Sequence, residues 1–165
     1  MTIRDARAAD FDAILALNEA SVSLLSPLSP ERLIDLHAQA TLHRVVEREG
    51  EVIGFLLAFR EGAAYDSPNY RWFAERYPRF LYVDRVVVAD AARGHGVGTL
   101  LYRDMFEFAA ASAAGLVTCE FDVDPPNPAS EQFHARFGFR EVGLQWVADG
   151  KKQVSLQAAT VHRED

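Results

Sequence analysis

The segment Val86-Val87-Val88-Ala89-Asp90-Ala91-Ala92-Arg93-Gly94-His95-Gly96-Val97-Gly98-Thr99 limits what this chain can fold into more than any other. A β-branched run feeds three glycines at alternate positions, and an amphipathic stretch follows them. On that stretch Val97, Leu101, Met105, Phe108 and Ala109 fall on one side at helical spacing, with Thr99, Arg103 and Glu107 opposite. The glycines therefore sit at a helix N-terminus, where the first amide N–H groups lack intrahelical partners. Glycine lets backbone approach a ligand closely, and such N–H groups together with the helix dipole make a site for phosphate or pyrophosphate. Arg93 adds a fixed positive charge. A dinucleotide fingerprint needs G-x-G-x-x-G, but counted from Gly94 the third position is Thr99, and no acidic strand end lies about 20 residues on. The P-loop pattern fails as well, for want of Gly-Lys-Ser/Thr. A glycine-rich turn without a ligand is the plainer alternative.

Around this joint the chain reads as strands and helices of an α/β (α+β) fold. Residues 2–5 alternate as a strand, and a helix opens at Ala9-Asp10-Phe11 with Phe11, Ile14, Leu15 and Leu17 on one face. Residues 23–29 form a loop rich in serine and proline, after which Pro30 starts a helix carrying Leu33, Ile34, Leu36 and His37 and ending near Ala40. Residues 42–49 and 52–60 are β-rich runs separated by Gly50-Glu51, the spacing of a tight antiparallel hairpin. Residues 61–79 form a long connection with Tyr65, Tyr70, Trp72, Phe73 and Tyr77, holding one helical turn around 69–75. Strand 80–88, helix 97–114 and strand 116–123 imply a parallel pair with a right-handed crossover, and a helix over 128–137 follows. Residues 139–147 and 153–159 close the chain as a hairpin turning at Asp149-Gly150.

Composition narrows the partners. The 165 residues, 49% hydrophobic and without internal repeat or linker, predict one domain with a core that needs no disulfide. Cys119 is the lone cysteine, which excludes a disulfide scaffold or zinc ribbon and fits a reducing cytoplasm. His37, His43, His95 and His162 share no metal-ligand spacing, so no metal is expected. Neither a basic stretch with an apolar run at the start nor a run of about 18 apolar residues is found, so neither secretion nor membrane insertion is expected. Seventeen basic against 24 acidic side chains give a net charge of -7, the wrong sign for tracking nucleic-acid phosphates. An acidic surface suits cationic amines, but plain solubility is the commoner reason for so modest a charge.

Arg93, Gly96 and Gly98 match the Arg/Gln-x-x-Gly-x-Gly/Ala motif of the GNAT superfamily of N-acetyltransferases, which this sequence resembles. The run Asn127-Pro128-Ala129-Ser130-Glu131-Gln132-Phe133-His134-Ala135-Arg136-Phe137-Gly138-Phe139 resembles that family's second motif, an Asn-led helix ending in Gly-Phe. The two motifs span residues 80–143. The resemblance implies a mixed, mostly antiparallel twisted sheet whose parallel fourth and fifth strands splay into a cleft, with helices on both faces. It implies acetyl-CoA as acyl donor, the pantetheine arm pairing with the fourth strand through Val86 and Val88. Arg93, Gly94, His95, Gly96, Gly98 and Thr99 would then hold the pyrophosphate, and Asn127 would reach the cofactor besides its bland role as a helix N-cap.

Acetyl transfer to an amine needs a neutral amine, a stabilised oxyanion and a proton for the thiolate. Glu120 and Asp122 share one face of strand 116–123, alternating with Val117, Cys119 and Phe121, so either carboxylate is a candidate base. The resemblance makes Asp122 the first choice, since five residues before Asn127 some members of that family carry an acidic base, and Glu120 the second; a solvated strand face is the bland reading. The family's tyrosine, seven residues after the motif Asn, is replaced by His134, which is expected to donate the proton or contact the cofactor sulfur. A structural helix histidine is its duller role, and Tyr82 is then the acid. Tyr70, Trp72 and Tyr82 are expected to bind the acceptor, unless these rings only cover the core.

The expectation is thus an N-acetyltransferase that moves acetyl from acetyl-CoA to a small-molecule or peptide amine by direct attack in a ternary complex, as one chain or as a homodimer. A catalytically silent coenzyme A-binding sensor is the rival, and a nucleotide-binding domain unrelated to coenzyme A a third reading.

Overall fold

The structure, a computed structural model, describes residues 1–21 and 25–162. Within the loop expected over residues 23–29, Ser23 and Leu24 lie outside the described residues. The strands are β1 (Thr2–Asp5), β2 (Leu42–Arg48), β3 (Glu51–Arg60), β4 (Leu81–Val88), β5 (Leu116–Asp124), β6 (Arg140–Val147) and β7 (Lys152–Thr160). The α-helices are α1 (Phe11–Ala20), α2 (Pro30–Gln39), α3 (Pro68–Ala74), α4 (Val97–Ala111) and α5 (Pro128–Ala135). The strands form one sheet in the order β1-β2-β3-β4-β5-β7-β6. Antiparallel registers join β1 to β2, β2 to β3, β5 to β7 and β6 to β7. A parallel register joins β4 to β5 at Leu81↔Val117 and Tyr82↔Thr118, so the mixed, mostly antiparallel sheet is present.

The chain divides into two compact units, Met1–Phe59 with Val83–Glu107, and Arg60–Tyr82 with Phe108–Asp165. In the first, α1 and α2 bury Ile14 and Leu33 against Ala6, Val45, Phe55 and Val87, with Phe11, Leu15 and Leu17 partly buried beside them. Ile34, expected on the apolar face of α2, is instead 58% exposed, because that helix buries a narrow stripe of Leu33 and Leu36. Ser29 caps α2 by accepting the Arg32 N–H at 3.1 Å. The β2–β3 turn is centred on Glu49-Gly50, one residue earlier than the expected Gly50-Glu51. Both residues have positive φ, 54° and 78°, as the two central positions of a type I′ turn require. Gly54 of β3 is where α4 comes closest: a Cβ there would lie 2.9 Å from Val97 Cγ1 and 3.0 Å from the Val87 carbonyl oxygen. This glycine lets the first turn of α4 seat directly on the sheet. Arg4 ties β1 to the turn before α1 through two 2.8 Å bonds to Asp10, whose carboxyl is held down at about 2 by that guanidinium.

In the second unit, α3 occupies the long connection where one helical turn was expected. Ser67 caps it, accepting the Tyr70 N–H at 3.4 Å, and Pro68 opens it. Tyr70, Phe73, Phe80 and Tyr82 are buried together, with ring centroids 5.6 to 6.3 Å apart. Trp72 packs edge-on against Phe73 and covers Gly143 of β6. The β6–β7 hairpin turns through Ala148, Asp149 and Gly150, all at positive φ. Helices α4 and α5 stop short of the expected residues 114 and 137. Ala113, at φ 58°, cannot continue α4, and after α5 Gly138 takes φ 83°.

Candidate active site

Strand β4 alternates in burial from Val83 onward: Val83, Arg85 and Val87 are buried, while Asp84, Val86 and Val88 are intermediate. The odd positions anchor the strand, Val87 joining the apolar core of the first unit. Val86 and Val88, the positions expected to meet the pantetheine arm, retain some exposure. Past the strand, the Ala89 N–H donates to the Ile53 carbonyl at 2.8 Å, and a 3-10 turn over Asp90–Ala92 redirects the chain.

The expected phosphate segment follows. Gly94 and Gly96 take φ of +82° and +79°, conformations that L side chains rarely adopt. Both are exposed, and a Cβ on either would meet nothing within 4 Å. Left-handed residues flanking His95 give the loop the form in which backbone N–H groups gather into a concave anion site. Val97 and Leu101, each 1% exposed, fix α4 behind it, and the helix ladder starts with the Leu100 N–H on the Gly96 carbonyl at 3.0 Å. Gly98 and Thr99 lie in the first turn of α4, where N–H groups point outward without ladder partners. Arg93 is exposed and pairs with Asp90 at 3.1 Å; a pair so open to solvent holds its guanidinium weakly. These residues fit a pyrophosphate: two glycines with open space over their Cα atoms, a helix N-terminus and an exchangeable guanidinium.

The second unit carries the acid–base candidates. Glu120 and Asp122 share one face of β5 and are both partly exposed, while Cys119 and Phe121 are buried. The Tyr82 phenol donates to Glu120, with its oxygen 2.9 and 2.8 Å from the two carboxylate oxygens. Tyr82 itself is 1% exposed. Asp122 lies 3.6 Å from Lys152 Nζ. Burial, with a smaller push from the Glu120 charge, drives the Cys119 thiol well above its ordinary value, so it stays protonated.

His134 is buried, its Nδ1 2.7 Å from the Ser130 carbonyl oxygen and 3.2 Å from Ser130 Oγ. The rings of Phe121, Phe133 and Phe139 surround it at 5.3 to 5.8 Å. Burial lowers its pKa, opposed by the bond to Ser130, so the imidazole is neutral near pH 7. With Nδ1–H given to a carbonyl, Nε2 carries a lone pair and has no proton to give. Asn127 accepts the Ser130 N–H at 3.4 Å, and so caps α5. Tyr70 is 2% exposed and its hydroxyl is engaged twice, donating to the Arg60 carbonyl at 2.7 Å and accepting the Ala63 N–H at 3.0 Å. Trp72 is partly exposed, under the Arg76 guanidinium 3.8 Å from its ring centre.

Two features escape a reading of the sequence. Arg85 of β4 is a buried cation, bonded to Asp84 at 2.6 Å, to Asn18 of α1 at 3.0 Å and to the Ser26 carbonyl at 3.1 Å. A charged pair interrupting an otherwise apolar strand was its one sequence signal. Thr118, the register partner of Tyr82, is a fully buried hydroxyl that only strand pairing could reveal. Among the described residues no helix is long and apolar enough to cross a membrane, and no group of three or more His, Cys, Asp or Glu could hold a metal ion.

Comparison with known proteins follows the same lines. A phosphinothricin N-acetyltransferase from Streptomyces coelicolor is 47% identical over 58 residues, 35% of this chain. That match spans only 33% of the relative's own length. The fold is shared with Ard1 from Thermoplasma volcanium at a TM-score of 0.80 and 17% identity, covering 98% of both chains. It is shared too with the ribosomal-protein-S18-alanine N-acetyltransferase from Escherichia coli at a TM-score of 0.74 and 13% identity, over 99% of this chain and 96% of that one. The model of the acetyltransferase (GNAT) family matches residues 7–139, a span that holds both glycine-bearing motifs and the Tyr82–Glu120 pair. This chain belongs to the acetyltransferase (GNAT) family.

Proposed function

We propose that the chain is an N-acetyltransferase that moves an acetyl group from acetyl-CoA to a primary amine by direct attack in a ternary complex. The observation that carries this reading is the left-handed pair Gly94 and Gly96, open to solvent at the start of α4. Arg93, Gly94, His95, Gly96, Gly98 and Thr99 would hold the pyrophosphate, Val86 and Val88 the pantetheine amides, and Asn127 and His134 would add contacts. Acetyl-CoA supplies an acyl carbon activated by its thioester.

On the acceptor side, Glu120 has the better geometry for a base because the Tyr82 phenol already pairs with it, and Asp122 is a second carboxylate for the substrate cation. The amine nitrogen bonds to the acyl carbon, the carbon–sulfur bond breaks, and the amine proton passes to Glu120. Tyr82 gives its phenol proton to the thiolate, and Glu120 restores it across 2.8 Å. Neutral His134, locked to Ser130, holds α5 in place and contacts the cofactor. Of Tyr70, Trp72 and Tyr82, Trp72 is the one with exposure to meet an acceptor, and Tyr70 is buried with Phe80 and Tyr82. The relative's name makes phosphinothricin the first acceptor to try, ahead of other small amines and peptides. We take the 165 residues as one cytoplasmic domain. Its partners would be amines rather than nucleic acid or membrane, and sedimentation would tell a single copy from a homodimer.

Thiol release measured with acetyl-CoA over a panel of amines tests the reading. Turnover with one of them supports it, and Gly96→Glu should abolish acetyl-CoA binding by filling the cradle with a side chain and a negative charge. ATP or NAD binding in calorimetry without acetyl-CoA binding would refute it. The silent sensor is favoured by one observation, the locked His134 at the tyrosine position, and tight acetyl-CoA binding without turnover would establish it.

A further inference from the structure

Thr118 of β5 is 0% exposed, and its Oγ1 has no hydrogen-bond partner among the described residues. A buried hydroxyl left unpaired is costly, and folded proteins usually satisfy such groups with internal water where the surroundings offer other polar atoms. Here they do. Thr118 is the parallel register partner of Tyr82, so the two side chains leave the sheet on the same face. Glu120 stands two residues further along β5 on that face, bonded to the Tyr82 hydroxyl at 2.8 and 2.9 Å. Two residues of strand span about 7 Å between Cα atoms. At that separation one water is the right size to bridge a hydroxyl and a carboxylate on the same face. Val117 and Cys119, which point the other way, are packed apolar neighbours.

We propose that Thr118, Glu120 and Tyr82 form a buried water site, and that Thr118 thereby positions the Tyr82–Glu120 pair. The water accepts the Thr118 hydroxyl proton and donates to the Glu120 carboxylate. Glu120 then receives a donor besides Tyr82, which favours its ionised form and keeps it ready to take a proton. The role assigned to the pair rests on the acetyl transfer proposed above; the water site does not.

Thr118→Val removes the hydroxyl and keeps the side chain's shape, and Thr118→Ser keeps the hydroxyl. In a crystal structure that resolves ordered water, wild type and Thr118→Ser should show a water within hydrogen-bonding distance of both the hydroxyl and Glu120, and Thr118→Val should lack it. The acidic limb of kcat/KM against pH should move up in Thr118→Val, by about half a pH unit for the loss of one hydrogen bond. It should return in Thr118→Ser, with the KM for acetyl-CoA unchanged throughout. Absence of the water in wild type, together with a higher Tm for Thr118→Val, would mean a dry orphan hydroxyl and overturn the site. A water present with an unmoved acidic limb would overturn the positioning role. If Thr118→Val does not fold, wild type and Thr118→Ser still decide on the water, and Thr118→Ala takes its place in the pH series. Unaltered activity in Glu120→Gln would instead refute the base role given to Glu120 while leaving the water site to the crystal structure, and acetyl-CoA neither bound nor turned over by wild type would refute the acetyl-transfer reading itself.

Discussion

His43 makes the stability of this protein depend on pH in a window that few other groups share. The ring lies between α2 and the sheet, 6% exposed, with its Nδ1 2.8 Å from His37 Nδ1 and its buried Nε2 without a hydrogen-bond partner among the described residues. One ring supplies the N–H of that bond and the other the lone pair. Burial first, and the neighbouring His37 second, lower the His43 pKa from 6.5 to about 4, against a smaller opposing pull from Asp10. A depressed histidine pKa means that the unfolded chain binds the proton more readily. Stability is therefore full above pH 6.5 and is lost as pH falls toward the folded value. The slope is about 1.4 kcal/mol per pH unit, which amounts to about 2.5 kcal/mol by pH 4.5, a large part of a typical ~5–15 kcal/mol. Urea unfolding of wild type and His43→Leu at steps from pH 7.5 to 4.5 measures it. His134, also lowered by burial, contributes a loss of the same sign in both proteins and cancels, so the difference reads His43 together with its bonded partner His37. Asp10, held at about 2, titrates below the window. The stability of wild type relative to His43→Leu should fall by about 2.5 kcal/mol across that range, and curves that stay parallel would refute a buried neutral His43.

Other perturbations follow from single contacts. Gly143→Ala would put a Cβ into Trp72, with Cη2 at 2.9 Å, and should cost about 1–3 kcal/mol in urea unfolding while changing tryptophan fluorescence. Arg85→Met takes the guanidinium from Asp84, Asn18 and Ser26, and should cost about 3–5 kcal/mol because a buried carboxylate loses its countercharge; a change under 1 kcal/mol would contradict the network. Tyr82→Phe deletes the donor to Glu120 and should lower kcat about 10²-fold with the affinity for acetyl-CoA kept, as read by steady-state kinetics beside calorimetry.

What the sequence made legible follows the range of the physics involved. Helix starts at Pro30, Val97 and Pro128 were readable because caps, prolines and 3.6-residue spacing are local. The β2–β3 turn was misplaced by one residue because Gly50 advertises a positive φ and Glu49, which shares it, does not. Alternation along one strand puts Glu120 and Asp122 on one face, yet only the register of β4 against β5 sets Tyr82 over Glu120 rather than Asp122. His134 was noticed by its motif position, but its tautomer depends on the Ser130 carbonyl one helical turn back, a bond no spacing rule weighs.

Strand β4 explains why the least legible residues are also the ones with most consequence. Period two gives its odd positions, Arg85 and Val87, to the packed side, where Val87 meets the α1–α2 core and Arg85 grips Asn18 and the Ser26 carbonyl. The even positions Val86 and Val88 are thereby held out of that core and stay partly exposed. A buried arginine at position 85 is costly as packing alone, and apolar residues replacing both Arg85 and Asp84 would serve the core at least as well. What the arginine adds is direction, since its fork fixes the segment after α1 to the strand by hydrogen bonds that tolerate little displacement. Adding Asp84→Asn to Arg85→Met should then recover part of the lost stability by removing the orphaned carboxylate, while leaving any defect in amine KM uncorrected. Recovery of both together would reduce Arg85 to a countercharge for Asp84.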